Sequence, residues 1–390
     1  MYCGANQVSH TKEWLQQNSE ILISPGRRRV IYNPVGRLLQ SAVDAGIDGS
    51  IRFAATCGLI QYNTNPELIK SFRGRELFKE ALARGLTIRE LRPRGNAADL
   101  YEVVIAGKPF IFKGLPRPKG YSNPALEWSD DKAILKTKLH AAGLPVAHGA
   151  SVYTWKKALQ LFHRLQKPVI IKPRLGSRGR HTTTFIYTEE QLREAYRIAK
   201  QLCSWMVIEE HLVGAVYRGT VIGGKCIGVL GGDPPYVIGD GTNTITELIA
   251  LKNKHTNPGV KDIVIDEKMS QFLGRSGYTL ESILPTAMRI DVTEKIGVSY
   301  GGSSFEVTSE THPDTIRMFE DAAAIIQDPL LGFDFIIPDI TKSWRGQRCG
   351  IIECNAVPFI NLHHDPLHGT PVNAAKYVWD MIEQSATEKK

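Results

Sequence analysis

The sequence predicts an α/β protein of the α+β kind, and three observations carry that expectation. Amphipathic helical segments alternate with short apolar runs. Some of those runs pair around glycine turns as hairpins. The regular strand–helix–strand beat of a dinucleotide-binding fold is missing.

The first 125 residues read as a small N-terminal α/β domain. "VGRLLQSAVDAGI" (35–47) and "RELFKEALARGL" (75–86) have helical periodicity. "TIREL" (87–91) reads as a strand, and "LYEVVIAGKPFIF" (100–112) as a hairpin turning at Gly107. The proline-rich "KGLPRPKGYSNP" (113–124) reads as a linker. From Ser129, "SDDKAILKTKLHAAGLPV" is an N-capped amphipathic helix ending at Gly143. Strand 168–172 leads through a glycine loop to a strand near 182–187. Thr188 and Gln191 then have capping-box spacing for a helix over 189–202. Strand "MVIEEHL" (206–212) precedes a hairpin over 217–230 turning at Gly223-Gly224. Helices follow over 244–255 and 312–327. "GFDFIIPDI" (332–340) and "CGIIECNAV" (349–357) read as adjacent strands, and Thr370-Pro371 as the cap of a last helix.

With 390 residues, 42% hydrophobic and 23% charged, the chain has room for two or three domains and a large core. A net charge of +8 suits an anionic ligand without naming it. Outside Arg27–Arg29 the cations are dispersed, with no aromatic–basic interleaving, so nucleic acid is not expected as a partner. Cys3, Cys57, Cys203, Cys226, Cys349 and Cys354 form no C-x-x-C pair and read as reduced, mostly buried thiols. No apolar run reaches the roughly 18 residues of a membrane span, and "MYCGANQVSHTKEWLQQNSE" has no signal-peptide core. The expectation is a cytoplasmic protein with no membrane partner.

Three stretches could carry chemistry. In "IIECNAVP", Glu353 and Asn355 stand two apart on one strand, so both side chains leave the same face, and Asp334 is offered by the preceding strand. Two carboxylates and an amide oxygen form a hard-oxygen set suited to Mg²⁺; the plainer reading is local hydrogen bonding at a strand end. In "VIIKPRLGSRGR", Lys172 ends an apolar strand before a loop bearing Gly176, Ser177, Arg178 and Gly179. No Walker A pattern is present, yet such a loop can turn its backbone N–H groups onto phosphates; the alternative is a basic turn in solvent. In "VIEEHLVG", Glu209 and Glu210 sit where a connecting segment could read adenine, or are simply exposed.

Together and in this order, these pieces resemble the ATP-grasp ligases, above all the module shared by cyanophycin synthetase and the bifunctional glutathione-synthesising enzymes. The resemblance spans roughly 126–385 and rests on "DKAILKTKLHAAGLPV", "VIIKPRLGSRGR", "PPYVIGDGTNTITELI", "YGGSSFEVTSETHPD", "GFDFIIPDI" and "IIECNAVPFINLHHDP". It implies an ATP-grasp fold of two α+β subdomains, 126–205 and 206–390, clasping ATP after the N-terminal domain. It implies that Lys132 and Lys172 hold phosphates and that Gly176–Gly179 closes over them as a lid. Glu209, Glu210 and the Leu212 backbone are placed at adenine. Asp334, Glu353 and Asn355 are placed at two Mg²⁺ ions, for which Mn²⁺ can substitute. Arg218 faces substrate or acyl phosphate, with catalytic roles for Arg218 and Lys172. Gly301, Gly302, Ser303, Ser304 and His363 line the substrate end. The implied reaction joins an amino acid or peptide to a carboxylate, in a homo-oligomer.

The sequence departs from that pattern at Val216 (an acidic ribose contact in the family), His181 (glycine), Thr293 (arginine), Tyr300 (threonine) and Phe359 (glycine). Lys295 or Arg289 is a candidate to restore the charge missing at Thr293. An ATP-binding module without catalysis is the competing expectation.

Overall fold

The computed structural model describes residues 8–31, 49–51, 53–118, 121, 126–176, 179–255 and 259–387, with the side chains of 23–31 also outside the description. The helix expected over 35–47, Ser177, Arg178 and part of the linker lie outside these residues.

Four sheets organise the described chain, and their pairings are antiparallel. The N-terminal sheet runs in sequence order through Ile60–Asn63, Ile88–Pro93, Leu100–Ile105 and Lys108–Lys113. Its hairpin closes on Ala106 and Gly107, both at positive φ, the two-residue geometry that matches strand twist. Helix Phe72–Ala83 covers one face. A second sheet orders Gly149–Val152, Met206–Glu210, Val169–Pro173 and Thr183–Ile186. Helices Trp155–Arg164 and Glu189–Lys200 pack on it through Ala158, Phe162, Leu192 and Ala195. The capping box of Thr188 and Gln191 forms as expected.

The third sheet orders Phe305–Glu306, Lys225–Gly231, Ala215–Ile222, Leu330–Ile337 and Gly350–Asn355. Its central strands are buried on both faces, which explains the near-continuous apolar run "LLGFDFII". Val221, Leu331, Phe333 and Phe335 face helix Pro313–Ile326 in one core. Ile222 and Leu330 face the opposite way, into a core shared with Trp379, Leu77 and Phe78. The N-terminal sheet, its helix and the last helix therefore share one interior. Helix Lys132–Ala141 packs Leu135 and Leu139 into the core of this third sheet, although the expected boundary put it with the second. Strands Tyr236–Ile238 and Arg289–Asp291 form the small fourth sheet.

One expectation needs correction. Thr370-Pro371 does not open the last helix, which begins at Ala374. Asn373 Oδ1 accepts the Lys376 N–H at 3.0 Å and takes the capping role, because it stands three residues before the first unpaired donor it can reach.

The N-terminal helix His10–Ile31 gave no sequence signal. Trp14, Leu15 and Leu22 are exposed, so among the described side chains no apolar stripe is buried to betray it.

Trp379 is fully buried and donates its indole N–H to the Leu77 carbonyl at 2.9 Å. Trp379→Ala should lower stability by about 3–5 kcal/mol in urea unfolding. Because the core is shared, far-UV circular dichroism and tryptophan fluorescence should report one common transition in the variant. Two separated transitions would show that the N-terminal sheet unfolds on its own.

Candidate active site

One row of the third sheet assembles the polar set. Asp334 pairs in register with Glu353 on one side and Arg218 on the other. Alternation along the strands turns Arg218, Asp334, Glu353 and Asn355 to the same face, away from helix Pro313–Ile326. Cys354 points the other way and is 1% exposed in the core, as its parity requires. A bulge after Asp334 shifts the register to Phe335–Ile351, the kind of irregularity that re-aims a side chain near a site.

Arg218 grips Asp334 with two hydrogen bonds, Nε to Oδ1 at 2.7 Å and Nη2 to Oδ2 at 2.8 Å. Burial opposes the arginine's charge, but Asp334 and Glu353 outweigh it and raise its pKa. Burial raises the Glu353 carboxyl, and Asp334 adds to the rise while Lys132, Lys172 and Arg218 pull it back. Among the described residues no hydrogen bond reaches the side chain of Glu353 or Asn355. Two carboxylates in register, one of them raised by burial and like charge, beside a free amide oxygen, fit a hard divalent cation such as Mg²⁺.

Cations converge from the other side. Asp131 caps helix Lys132–Ala141 by accepting from Ala133 and Ile134. Lys132 and Lys136, one turn apart, then share a buried face. Lys172, at the end of strand Val169–Pro173, and Lys136 both contact the carboxylate of Glu209, itself 2% exposed. Lys132 donates to the Gly176 carbonyl at the start of the glycine loop. Burial first, and then the Lys132 charge, lowers the Lys172 ammonium to about 8, while Glu353 and Lys136 oppose the fall. Burial, Lys172 and Lys132 push Lys136 well below its ordinary range. Two buried lysines share the Glu209 carboxylate and a third stands beside them, so basic groups outnumber the acidic one, the electrostatics a polyphosphate needs.

The loop's described cations are not turned to solvent. Arg174 forks onto Asp131 with contacts of 2.8 and 2.9 Å, and Arg180 pairs with Glu13 at 3.2 Å. His181, at φ 51°, is fully buried and hydrogen-bonded to the Ile198 carbonyl at 2.7 Å. Burial lowers its pKa. Its imidazole thus closes the loop by docking on helix Glu189–Lys200, where the family pattern has glycine.

Glu209 ends the strand Met206–Glu210 of the second sheet, and Ala215–Ile222 belongs to the third, so His211–Gly214 is the crossover between them. Leu212 is buried there. Glu210 accepts the Gln166 N–H at 3.1 Å and pairs with Arg348 at 3.0 Å.

At the far end, Gly301 has φ 86° and follows the turn Val298–Tyr300. A Cβ on Gly302 would lie 2.2 Å from the Asp233 carbonyl, so glycine is needed for this approach. Ser303 receives the Asp233 N–H at 3.3 Å, and the Ser304 carbonyl accepts from Leu367 at 3.0 Å. Arg289 lies over Tyr236 at 3.8 Å and near Asp233, while Lys295 lies over Tyr300 at 4.9 Å. His363 is a correction. Its ring does not line an open cleft: it is 0% exposed, held by Glu306 at 2.6 Å and Thr220 at 2.7 Å.

Sequence reasoning missed Lys136, Glu306 and Thr220. Lys136 was signalled by its i+4 spacing from Lys132; Glu306 and Thr220 meet His363 only through long-range packing.

Comparison with known proteins decides the family. The chain is 32% identical over 274 residues to the cyanophycin synthetase of Synechocystis sp., which covers 68% of this chain. It is 29% identical over 264 residues to the bifunctional glutathione biosynthesis protein GshAB of Clostridium perfringens, covering 65% of it. The crystal structure of a bifunctional glutathione synthetase from Pasteurella multocida superposes with a TM-score of 0.57 at 22% identity, covering 80% of this chain and 43% of that one. The chain is related to the ATP-grasp ligases and shares their fold. It spans only 31% of the Synechocystis relative and 34% of the Clostridium one. No family model matches. Among the described residues, no helix is long and apolar enough to cross a membrane.

The charge geometry of this ATP-grasp site gives a pH prediction. The folded-state value of Lys172 lies near 8, against about 10.4 for an unfolded lysine. Between those values the unfolded chain binds more protons, so this group's contribution to stability rises with pH. Lys172→Met removes that contribution. The stability of the variant minus that of the wild type should therefore fall as pH increases from 8 to 10. A difference that stays flat would mean the ammonium is not disfavoured by its surroundings.

Proposed function

We propose that this chain joins an amino acid or short peptide to a carboxylate partner through an acyl phosphate, converting ATP to ADP and phosphate. One observation carries the reading. Three buried lysines face a row of two carboxylates and an amide, closely enough that Lys132 and Lys172 moderate the pKa of Glu353. Such an arrangement can hold a polyphosphate and its counter-cation together.

The chemistry divides among the residues as follows. Lys132 and Lys172 bind phosphate oxygens, and the crossover His211–Gly214, with Glu210 and the Leu212 backbone, receives the adenine. Glu209 anchors Lys172 rather than reading the base directly. Asp334, Glu353 and Asn355 would hold Mg²⁺, which screens phosphate charge when bound. An oxygen of the substrate carboxylate attacks the γ-phosphorus, the bond to ADP breaks, and an acyl phosphate forms. The amine nitrogen then attacks the acyl carbon, phosphate leaves, and the nitrogen gives up a proton. Arg218, released from Asp334, is placed to neutralise charge on the carboxylate and on the acyl phosphate. Gly301–Ser304 forms the wall of the substrate end, and His363 supports it from beneath through Glu306 and Thr220. No side chain has to act as a covalent nucleophile.

Incubation with Mg-ATP, hydroxylamine and pools of carboxylates should yield hydroxamate and phosphate. Neither product from any pool would sink the ligase reading in favour of a nucleotide-binding module without catalysis. Glu353→Gln should lower turnover at least 100-fold with an unchanged melting profile, an effect on the order of 3 kcal/mol in the barrier. Near-normal turnover would remove Glu353 from the metal set. Lys172→Ala should raise KM for ATP about tenfold or more, and an unchanged KM would end its assignment to phosphate.

A further inference from the structure

Helix His10–Ile31 reaches the glycine loop with its polar face. Residues 10, 13, 17 and 20 recur at spacings of three and four, so they share one side of the helix. His10 meets the ring of His181 edge-on at 4.7 Å. Glu13 pairs with Arg180 at 3.2 Å, with the two side chains 24% and 16% exposed. Gln17 is 4% exposed and lies against Gly176, where an added Cβ would come within 2.9 Å of its Nε2. Glu20 accepts from Gln16 Nε2 at 2.9 Å on the exposed part of the same side. One residue further round from Gln17, Asn18 Oδ1 accepts the Ser204 N–H at 3.2 Å, beyond helix Glu189–Lys200.

These contacts straddle the loop, at Gly176 on its rising side and at Arg180 and His181 on its returning side. Their character separates them from ordinary terminal packing. A helix docked for stability buries an apolar stripe, yet among the described side chains Leu15 and Leu22 are 58% and 76% exposed while Gln17 is buried against the loop and Glu13 half-buried. Polar contacts of this kind contribute little net stability each. Moreover, the buried Gln17 Oε1 has no hydrogen-bond partner among the described residues, so the docked position carries an unsatisfied acceptor. The contact is specific and weak, which suits a reversible element.

We propose that helix His10–Ile31 is a strap across the nucleotide-phosphate loop, and that Glu13 and Gln17 are positioning residues that preorganise it for nucleotide. This rests on the ATP-site reading above. Glu13 holds Arg180, and Gln17 backs Gly176, whose carbonyl receives Lys132. The strap thereby holds the described roots of the loop, Gly176 and Arg180, in place before nucleotide binds.

The test uses the full chain as wild type, Glu13→Arg, Gln17→Ala, Arg180→Glu and the double swap Glu13→Arg/Arg180→Glu. Two quantities are read for each, Mg-ADP affinity by titration calorimetry and hydrogen exchange over residues 174–182. Simple charge attraction makes Glu13→Arg bind Mg-ADP more tightly. The strap predicts the opposite: dissociation constants about fivefold higher for Glu13→Arg and Gln17→Ala, with faster exchange in the loop, at melting temperatures matching the wild type. The double swap should bring both quantities back to within about twofold. Tighter or unchanged binding by Glu13→Arg, or no recovery in the double swap, would overturn the proposal. If the wild type itself binds no Mg-ADP, the ATP-site reading falls. The exchange data then decide alone, and unaltered exchange in Glu13→Arg and Gln17→Ala overturns the strap.

Discussion

A buried excess of basic groups facing a half-buried pair of carboxylates is the constraint on which the rest of the site depends. Lys136 and Lys172 share Glu209, and Lys132 leans on a backbone carbonyl, so helix Lys132–Ala141 and the second sheet together bring more basic groups than Glu209 can neutralise. Across from it, Asp334 and Glu353 sit in register with Arg218 as their direct cation. Neither half is balanced in itself, and a buried charge without partners is disfavoured by several kcal/mol. A polyphosphate with its counter-cation satisfies both halves at once. That complementarity explains why charged groups are placed in a region whose flanks are otherwise Ile, Val and Phe.

Two features of the backbone keep this unbalanced set in place. Asp131 serves twice, capping the helix that carries Lys132 and Lys136 and receiving the fork of Arg174 from the loop. A single side chain thus ties the two lysine-bearing segments together. The third sheet is fixed by burial on both faces, so the row Arg218–Asp334–Glu353 cannot slide without moving residues in two cores. Besides the crossover His211–Gly214, the second sheet meets the third through the Val146–Ile351 bridge and the Arg348–Glu210 pair.

Much of this was legible in the sequence, for definable reasons. Strand alternation gave the common face of Glu353 and Asn355 and the opposite face of Cys354. Capping chemistry gave the helix after Thr188, and glycine pairs gave the hairpins. What failed to show was whatever depended on distant partners. His363 reads as a polar residue near a cleft, but its enclosure by Glu306 and Thr220 comes from elements 57 and 143 residues away. Arg180 looks like a free basic group until Glu13 is brought to it across 167 residues. The last helix misled through a local signal, since Thr-Pro is a good start and Asn373 a better-placed one. The N-terminal helix hid because its covered side is the polar one.

The shared core between the N-terminal sheet and the last helix has a consequence for how the chain is made. Leu77 receives the indole of Trp379 from 302 residues downstream, and Arg84 waits 299 residues for Glu383. At synthesis rates of about 5–20 residues per second, that interval is roughly 15–60 s. Throughout it, Leu77, Phe78 and Phe112 face a surface whose permanent cover has not left the ribosome. Full burial of these side chains therefore waits on the last helix, whatever order the rest of the chain follows.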